Sequence, residues 1–261
     1  MSAGQPRREA RPVLTLAWST LADRADGLRL PDLSGTASGE VELLVCLQGG
    51  TRAVPAGARV VDVPGRGVAR SRNAALRHAR GRYLHFCDDD IQVRLDAVMA
   101  TVRHLARTGH ALALGAAVDP DGQPRKRYPT STRRLRLLTA ARAATFEMVV
   151  DVDAVRAAGL TFDERFGAGS ARPLGDEYVF IADLLRSGLR ADAVPWVLAV
   201  HPWMSSGTVW GTDSDAAHRA AVLDRVFGRW SPVVRTAFAV KHARRLGSLR
   251  RVLRLASGRA G

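Results

Sequence analysis

The chain has 261 residues, enough to bury a full core as one α/β domain with a helical appendage. Its formal net charge of +14 comes from 39 Lys and Arg against 25 Asp and Glu; nearly all the bases are Arg in an Ala-rich chain, which reads as compositional bias, and the charge draws anionic partners only where it clusters. Two cysteines, Cys46 and Cys87, each inside an apolar run, exclude a disulfide scaffold and predict free core thiols in a reducing compartment, and no apolar run approaches the length of a membrane span.

Residues 1–12 read as a polar, disordered leader without the apolar centre of a signal peptide, so the expected location is the cytoplasm. Val13–Trp18 is a first strand, and Ser19–Asp32 a loop or short helix. A turn follows at Ser34–Gly39, then buried strands at Val41–Leu47, closed by Gly49-Gly50, and Ala58–Val63, closed by Pro64-Gly65-Arg66-Gly67. Such spacing, alternating with helical segments, predicts a mostly parallel sheet. Val68–Arg80 has helical periodicity with Arg72 on its apolar face. An arginine there either snorkels to solvent or meets an anion, and the glycine turn opening the helix resembles a phosphate site made of backbone amides.

Gly81–Ile91 is the stretch around which the rest is arranged. Tyr83, Leu84, Phe86 and Cys87 form a nearly continuous apolar run, suited to a strand covered on both faces, and it ends in Asp88, Asp89 and Asp90. Ligands of open α/β sheets bind beyond the carboxyl ends of the strands. If the chain stays extended, Asp88 and Asp90 share one side and Asp89 takes the other. Three adjacent carboxylates repel unless a cation sits among them, and hard oxygen donors favour Mg²⁺ or Mn²⁺ over zinc. A divalent metal carrying phosphates is the sharper reading; a solvated acidic turn is the plainer one.

Further on, Leu95, Val98, Met99, Val102 and Leu105 mark a helix stopped at Thr108-Gly109, Ala111–Val118 is a strand, and Asp119–Gly122 has the residues of a tight turn. Arg125-Lys126-Arg127 and Arg133-Arg134 frame a polar stretch read as a mobile loop. A strand at Phe146–Val150 and a short helix at Asp153–Ala158 lead to Phe162–Gly167. Asp176 and Glu177 open a helix reaching Gly188; acids in a first turn also simply complement the helix dipole. Val194–Val200 is the last strand, ending at His201, a position where a lone histidine is more often structural than a ligand.

Four motifs together resemble the family 2 glycosyltransferases of the GT-A fold: Ala69–Leu76 with Arg72-Asn73, Gly81–Asp90, Phe162–Phe166 and Gly175–Glu177, in the family's order across residues 13–205. The resemblance implies a Rossmann-like domain over residues 13–212 and a helical extension over 213–261. It implies an inverting, hexosyltransferase-type enzyme moving sugar from a nucleotide-sugar donor to a saccharide or lipid-linked acceptor. Asp88 and Asp90 then form the Asp-x-Asp pair holding Mn²⁺ or Mg²⁺, with His201 as a further metal or phosphate contact. Arg72, Asn73, Asp88 and Asp89 contact the nucleotide sugar. An acid at the later helix start is the general base; the family usually reads Glu-Asp there, so Glu177 aligns with the base and Asp176 is the fallback. The turn after the second strand reads Gln48-Gly49-Gly50, without the aspartates with which the family commonly meets the nucleobase. Trp203 and Trp210 are candidates for stacking on a sugar, although packing is the commoner fate of a tryptophan.

Past Asp224 no acidic residue remains while arginines accumulate to Arg259. In helical projection Leu246, Leu249, Val252, Leu253 and Ala256 share a face opposite Arg244, Arg250, Arg251 and Arg254. That amphipathic segment either lies on an anionic membrane, making the protein peripheral on its inner face, or packs on the domain. Two other functions compete. A metal-dependent nucleotidyltransferase also uses carboxylates and Mg²⁺, but on nucleoside triphosphates. A basic nucleic-acid-binding protein fits the charge, yet the basic segments lack interleaved aromatics, so no nucleic acid is expected.

Overall fold

The computed structural model of the chain describes residues 11–202 and 210–258; residues 1–10 of the leader, Trp203 and Arg259 lie outside the described residues. The strands are β1 (Leu14–Leu21), β2 (Val41–Gln48), β3 (Arg59–Val63), β4 (Tyr83–Asp88), β5 (Gln92–Val93), β6 (Leu112–Val118), β7 (Arg133–Arg134), β8 (Met148–Asp151) and β9 (Ala191–Val200). They form one sheet in the order β3-β2-β1-β4-β8-β6-β9-β5, with β7 on β9. β1 pairs parallel with β2 and β4, β2 with β3, and β6 with β9. β8, expected as one more strand of a mostly parallel sheet, runs antiparallel to both its neighbours. A parallel neighbour needs a crossover, usually helical, and the connection from β6 to β8 contains only β7 and short 3₁₀ turns. Because β8 reverses direction between β4 and β6, those two strands and β9 end at the same edge.

Both faces are covered, as the uninterrupted apolar runs require. On one face lie α1 (Val68–His78), α3 (Val152–Ala157) and α4 (Asp176–Arg186), packed around Leu44, Leu84, Phe86, Met148, Phe162 and Phe180. On the other, α2 (Leu95–Thr108) and the 3₁₀ turn at residues 22–27 cover Leu16, Trp18, Val45, Tyr83, Val149 and Leu198. The alternation along β1, with Leu16 and Trp18 on one side and Ala17 on the other, is the period-two pattern of a strand between two cores. α2 stops at Gly109, whose φ of +66° is a left-handed conformation that glycine adopts without strain. Cys46 and Cys87 are buried free thiols, with the Cys46 thiol pushed up to about 12 by burial.

Four helices follow: α5 (Asp213–Phe227), α6 (Ser231–Lys241), α7 (Ala243–Leu246) and α8 (Leu249–Ser257). α5 joins the main core through Val222 and Val226. Arg225 fixes it there, donating to both Asp183 oxygens at 3.0 and 2.6 Å and to Asp163 at 3.0 Å. Ala216, Ala239, Leu246 and Leu255 make a small core of their own. The apolar face expected of α8 is therefore only half right. Gly247, at φ +73°, separates Leu246 from α8 and shifts the projection, so Leu255, Val252 and Ala256 pack inward while Leu249 and Leu253 stay 73% and 59% exposed. Arg251 and Arg254 meet Asp213 at 3.0 and 3.2 Å. Trp210 lies under Arg219, 3.8 Å from the ring centroid, and stacks on Phe238, so its ring belongs to this helical layer. Among the described residues no helix is long and apolar enough to cross a membrane.

Candidate active site

β4 carries its apolar side chains into the middle of the sheet and delivers Asp88 at the carboxyl edge. The strand ends there; Asp89 and Asp90 form a turn, so the side-to-side alternation expected of an extended chain stops at Asp88. The three acids separate. Asp89 crosses to the end of β1, where Thr20 Oγ1 donates to it at 3.1 Å and Arg24 stands at 3.6 Å; burial raises its pKa. Asp90 turns the other way and its Oδ1 faces His201 Nε2, at 3.3 Å. Asp88 is met from α1 by Arg72 Nη2 at 3.3 Å.

Arg72 is the hinge of this arrangement. Its side chain is 7% exposed, on the apolar face of α1, and it does not snorkel to water: its other terminal nitrogen is ion-paired to Asp176 at the start of α4. One guanidinium thus ties the acid ending β4 to the acid opening α4, the planar two-sided recognition for which arginine is suited. Gly167 makes room for this. Its φ is +93°, and a Cβ there would stand 2.7 Å from Asp176 Oδ1.

Asp176 and Glu177 live in different surroundings. Asp176 is buried and paired, whereas Glu177 stays partly exposed. Desolvation first, and the neighbouring Asp176 charge second, push the Glu177 carboxyl up to about 8, against the opposing pull of Arg72. A carboxyl whose pKa is raised by its surroundings is suited to exchanging a proton near neutral pH.

Asn73, expected among the nucleotide-sugar contacts, spends its amide on the following segment: Nδ2 donates to the Phe162 carbonyl at 3.0 Å and to Glu164 at 3.2 Å, and Phe162 N donates to Oδ1 at 2.7 Å. It clamps the Phe162–Phe166 segment to α1. The glycine turn before α1 is also partly engaged, since Val68 N donates to the Ala168 carbonyl at 2.9 Å. Beside it, at the ends of β2 and β3, a cavity of about 500 Å³ is lined by Leu47, Gly49, Gly50, Asp62, Val63 and Arg66. A larger cleft of about 620 Å³ is lined by Asn73, Asp163, Asp183 and Arg225, and by none of Asp88, Asp89 and Asp90.

No sequence pattern points to the shell around His201. This histidine is 3% exposed and stacks on Phe146 at 4.5 Å. Its Nδ1 faces the Pro202 carbonyl at 2.5 Å, an acceptor that calls for a proton on Nδ1, and Arg125 Nη1 at 2.6 Å, a donor that calls for a lone pair. Only the first tautomer leaves Nε2 able to ligate a cation. Arg125 thus joins the shell of His201, and the stretch read as a mobile loop is anchored: Lys126 Nζ reaches Glu147 at 2.6 Å and the Tyr128 hydroxyl donates to Glu147 at 2.7 Å. The buried Glu147 has no motif that would have revealed it.

The donor set suits a divalent cation. Two ligands on adjacent positions of an octahedral ion, each at about 2.1 Å, stand about 3 Å apart, close to the Asp90–His201 spacing of 3.3 Å. Asp88 meets Arg72 through Oδ1 alone, which leaves its second carboxylate oxygen for a cation.

A mixed, mostly parallel sheet flanked by helices, with the acid that ends β4 tied through Arg72 to the acid that opens α4, is the architecture of the GT-A fold. The model of glycosyl transferase family 2 matches residues 52–163, the part of the chain that is similar to that family. Solved structures share the fold at low identity. TarS of S. aureus, residues 1–349 in complex with UDP-GlcNAc, superposes with a TM-score of 0.58 at 11% identity, covering 88% of this chain and 72% of that one. Glucosyl-3-phosphoglycerate synthase from Mycobacterium tuberculosis, in complex with Mn²⁺, UDP and glucosyl-3-phosphoglycerate, gives 0.54 at 18% identity, with 86% of each chain covered. No curated protein matches the sequence.

Proposed function

We propose that this glycosyltransferase is inverting and metal-dependent, and takes a hexosyl group from a nucleoside diphosphate sugar, with UDP the first nucleotide to try. The observation that carries the reading is the division of labour between Asp176 and Glu177: the first is locked to Arg72, the second is held with a raised pKa and keeps partial exposure. The donor's base and ribose occupy the cavity at the ends of β2 and β3, where Asp62 substitutes for the aspartates missing from Gln48-Gly49-Gly50, and the diphosphate reaches the Asp88–Asp90 turn. Asp89, turned toward β1, borders the ribose. Asp88, Asp90 and His201 would hold Mn²⁺ or Mg²⁺, which when bound would supply positive charge against the charge growing on the departing diphosphate. Arg72 and Asn73 act from α1 by positioning, the first on Asp88 and Asp176, the second on the Phe162–Phe166 segment.

In the transfer the acceptor oxygen forms a bond to the anomeric carbon, the bond from that carbon to the phosphate oxygen breaks, and the hydroxyl proton passes to Glu177. The fold neighbours crystallised with UDP or a UDP-sugar, one of them also with Mn²⁺, support this choice of donor and cofactor. The acceptor is a saccharide or a lipid-linked saccharide. Leu249 and Leu253, exposed among the arginines of α8, support attachment to an anionic membrane surface.

Glu177→Gln keeps shape and removes basicity. Sugar transfer should fall on the order of 10²- to 10⁴-fold while metal-dependent UDP affinity stays as in the wild type. Near-normal transfer by Glu177→Gln moves the base elsewhere.

A further inference from the structure

A second group of metal-capable side chains lies at the opposite end of the sheet. Asp192 is at the start of β9, and its Oδ2 is met by His104 Nε2 from α2 at 2.8 Å and by His110 Nδ1, from the turn between α2 and β6, at 2.7 Å. The side chains of His104, His110 and Asp192 are 9%, 15% and 7% exposed. From Asp192 to His201 β9 spans roughly 30 Å at about 3.3 Å per residue, so this cluster is separate from the donor site.

The three donor atoms lie within 4.8 Å of one another. Imidazole and carboxylate ligands bind zinc at about 2.0–2.2 Å in a tetrahedron, which sets neighbouring donors about 3.3 Å apart. The two contacts on Asp192, at 2.8 and 2.7 Å, need to lengthen by about half an ångström, and the two imidazole nitrogens, within 4.8 Å of each other, need to settle at that same spacing to admit such an ion. The chemistry differs from that of the Asp88–Asp90 turn: two borderline nitrogens and one oxygen suit Zn²⁺ or a neighbouring transition metal, whereas an oxygen-rich set suits Mg²⁺ or Mn²⁺. Arg134 stands opposite Asp192 in the β7–β9 pairing, but it is exposed and its charge is screened by solvent.

We propose that His104, His110 and Asp192 form a zinc-class transition-metal site with water in the fourth position, pinning α2, the turn into β6 and the start of β9 to one another. Without metal the same residues make a hydrogen-bonded trio, in which one carboxylate oxygen accepts from both imidazoles. Binding is independent of nucleotide, because no residue is shared with the donor site. It stabilises the fold by mass action, since the unfolded chain does not hold the three donors together. His104 lies edge-on to Trp196, with ring centroids 5.9 Å apart, so a paramagnetic ion bound there quenches that tryptophan.

The test titrates the metal-stripped full chain with Zn²⁺ by calorimetry in the absence of nucleotide, and with Co²⁺ by visible absorption. The expected result is one tight Zn²⁺ equivalent, a rise in Tm, and the intense d–d bands of four-coordinate Co²⁺. His110→Ala, at the most exposed of the three ligands, should weaken Zn²⁺ binding at least about 10- to 100-fold, the loss seen for outer-shell changes alone, and abolish the rise in Tm. Mn²⁺-dependent UDP binding by the same variant should be unchanged, which separates failure of this site from failure of the proposed donor site. No Zn²⁺ binding by the wild type, or undiminished binding by His110→Ala, overturns the proposal. If His110→Ala does not fold, the Co²⁺ spectrum of the wild type decides, and only the pale bands of a six-coordinate ion would overturn it.

Discussion

Arg72→Met keeps an unbranched stem in α1 and deletes the cation between β4 and α4. With Arg72 and Asp176 at 7% and 4% side-chain exposure, the substitution leaves a carboxylate buried without its counter-ion. Breaking one side of such a pair costs about 3–5 kcal/mol, a large part of the ~5–15 kcal/mol that holds a domain. The contact with Asp88 adds little, since that carboxylate is 30% exposed and 3.3 Å away. Urea unfolding at pH 7, followed by far-UV circular dichroism, should show the single variant losing about 3–5 kcal/mol. The double variant Arg72→Met/Asp176→Leu should regain most of that, because neither charge is left unpaired. A loss under about 1 kcal/mol in the single variant, or a double variant no more stable than the single, refutes the placing of Arg72 as a buried tie between the two acid-bearing segments.

Two further outcomes follow from the same geometry. The Glu177 carboxyl titrates at about 8 in the folded chain against an ordinary 4.5, so the native state holds an extra proton between those values. Stability should be greatest below pH ~4.5, as far as this group is concerned, and fall as pH rises through about 8. Glu177→Gln should flatten that slope, and in the wild type kcat/KM should climb over the same window; a wild-type slope shared by the variant assigns the effect to another group. On α8, Leu249→Ser/Leu253→Ser should abolish co-sedimentation with phosphatidylglycerol vesicles and leave the fold intact, since both side chains face solvent. Equal sedimentation of the two proteins rules α8 out as the contact.

The strands and most helices were legible because each is a short apolar run or a helical repeat closed by glycine, proline or aspartate. Val41–Gln48 and Leu95–Thr108 follow their sequence patterns to within a few residues. The direction of β8 was not legible: Met148–Asp151 is apolar whichever way it runs, and only its missing helical crossover separates the two. In the site, Asp88, Asp90, Asp176 and Glu177 announce themselves by position at element ends. Arg72 gave half a signal, a charge on an apolar face, with Asp176 legible only across 104 residues of chain. Arg125, Phe146 and Glu147 gave none, because their roles depend on contacts that no local pattern encodes. In α8, the glycine at 247 breaks the projection that had joined Leu246 to Leu249 and Leu253.

In the proposed mechanism Asp90, with Asp88 and His201, holds the cation that carries a nucleoside diphosphate at the end of β4. Calorimetric titration of UDP into the wild type and Asp90→Ala, each with and without Mn²⁺, tests it most directly, because Asp90 is 48% exposed and its removal disturbs little packing. The predicted result is Mn²⁺-dependent UDP binding by the wild type that disappears in Asp90→Ala while its unfolding midpoint stays the same. Undiminished Mn²⁺-dependent affinity in the variant would contradict the assignment.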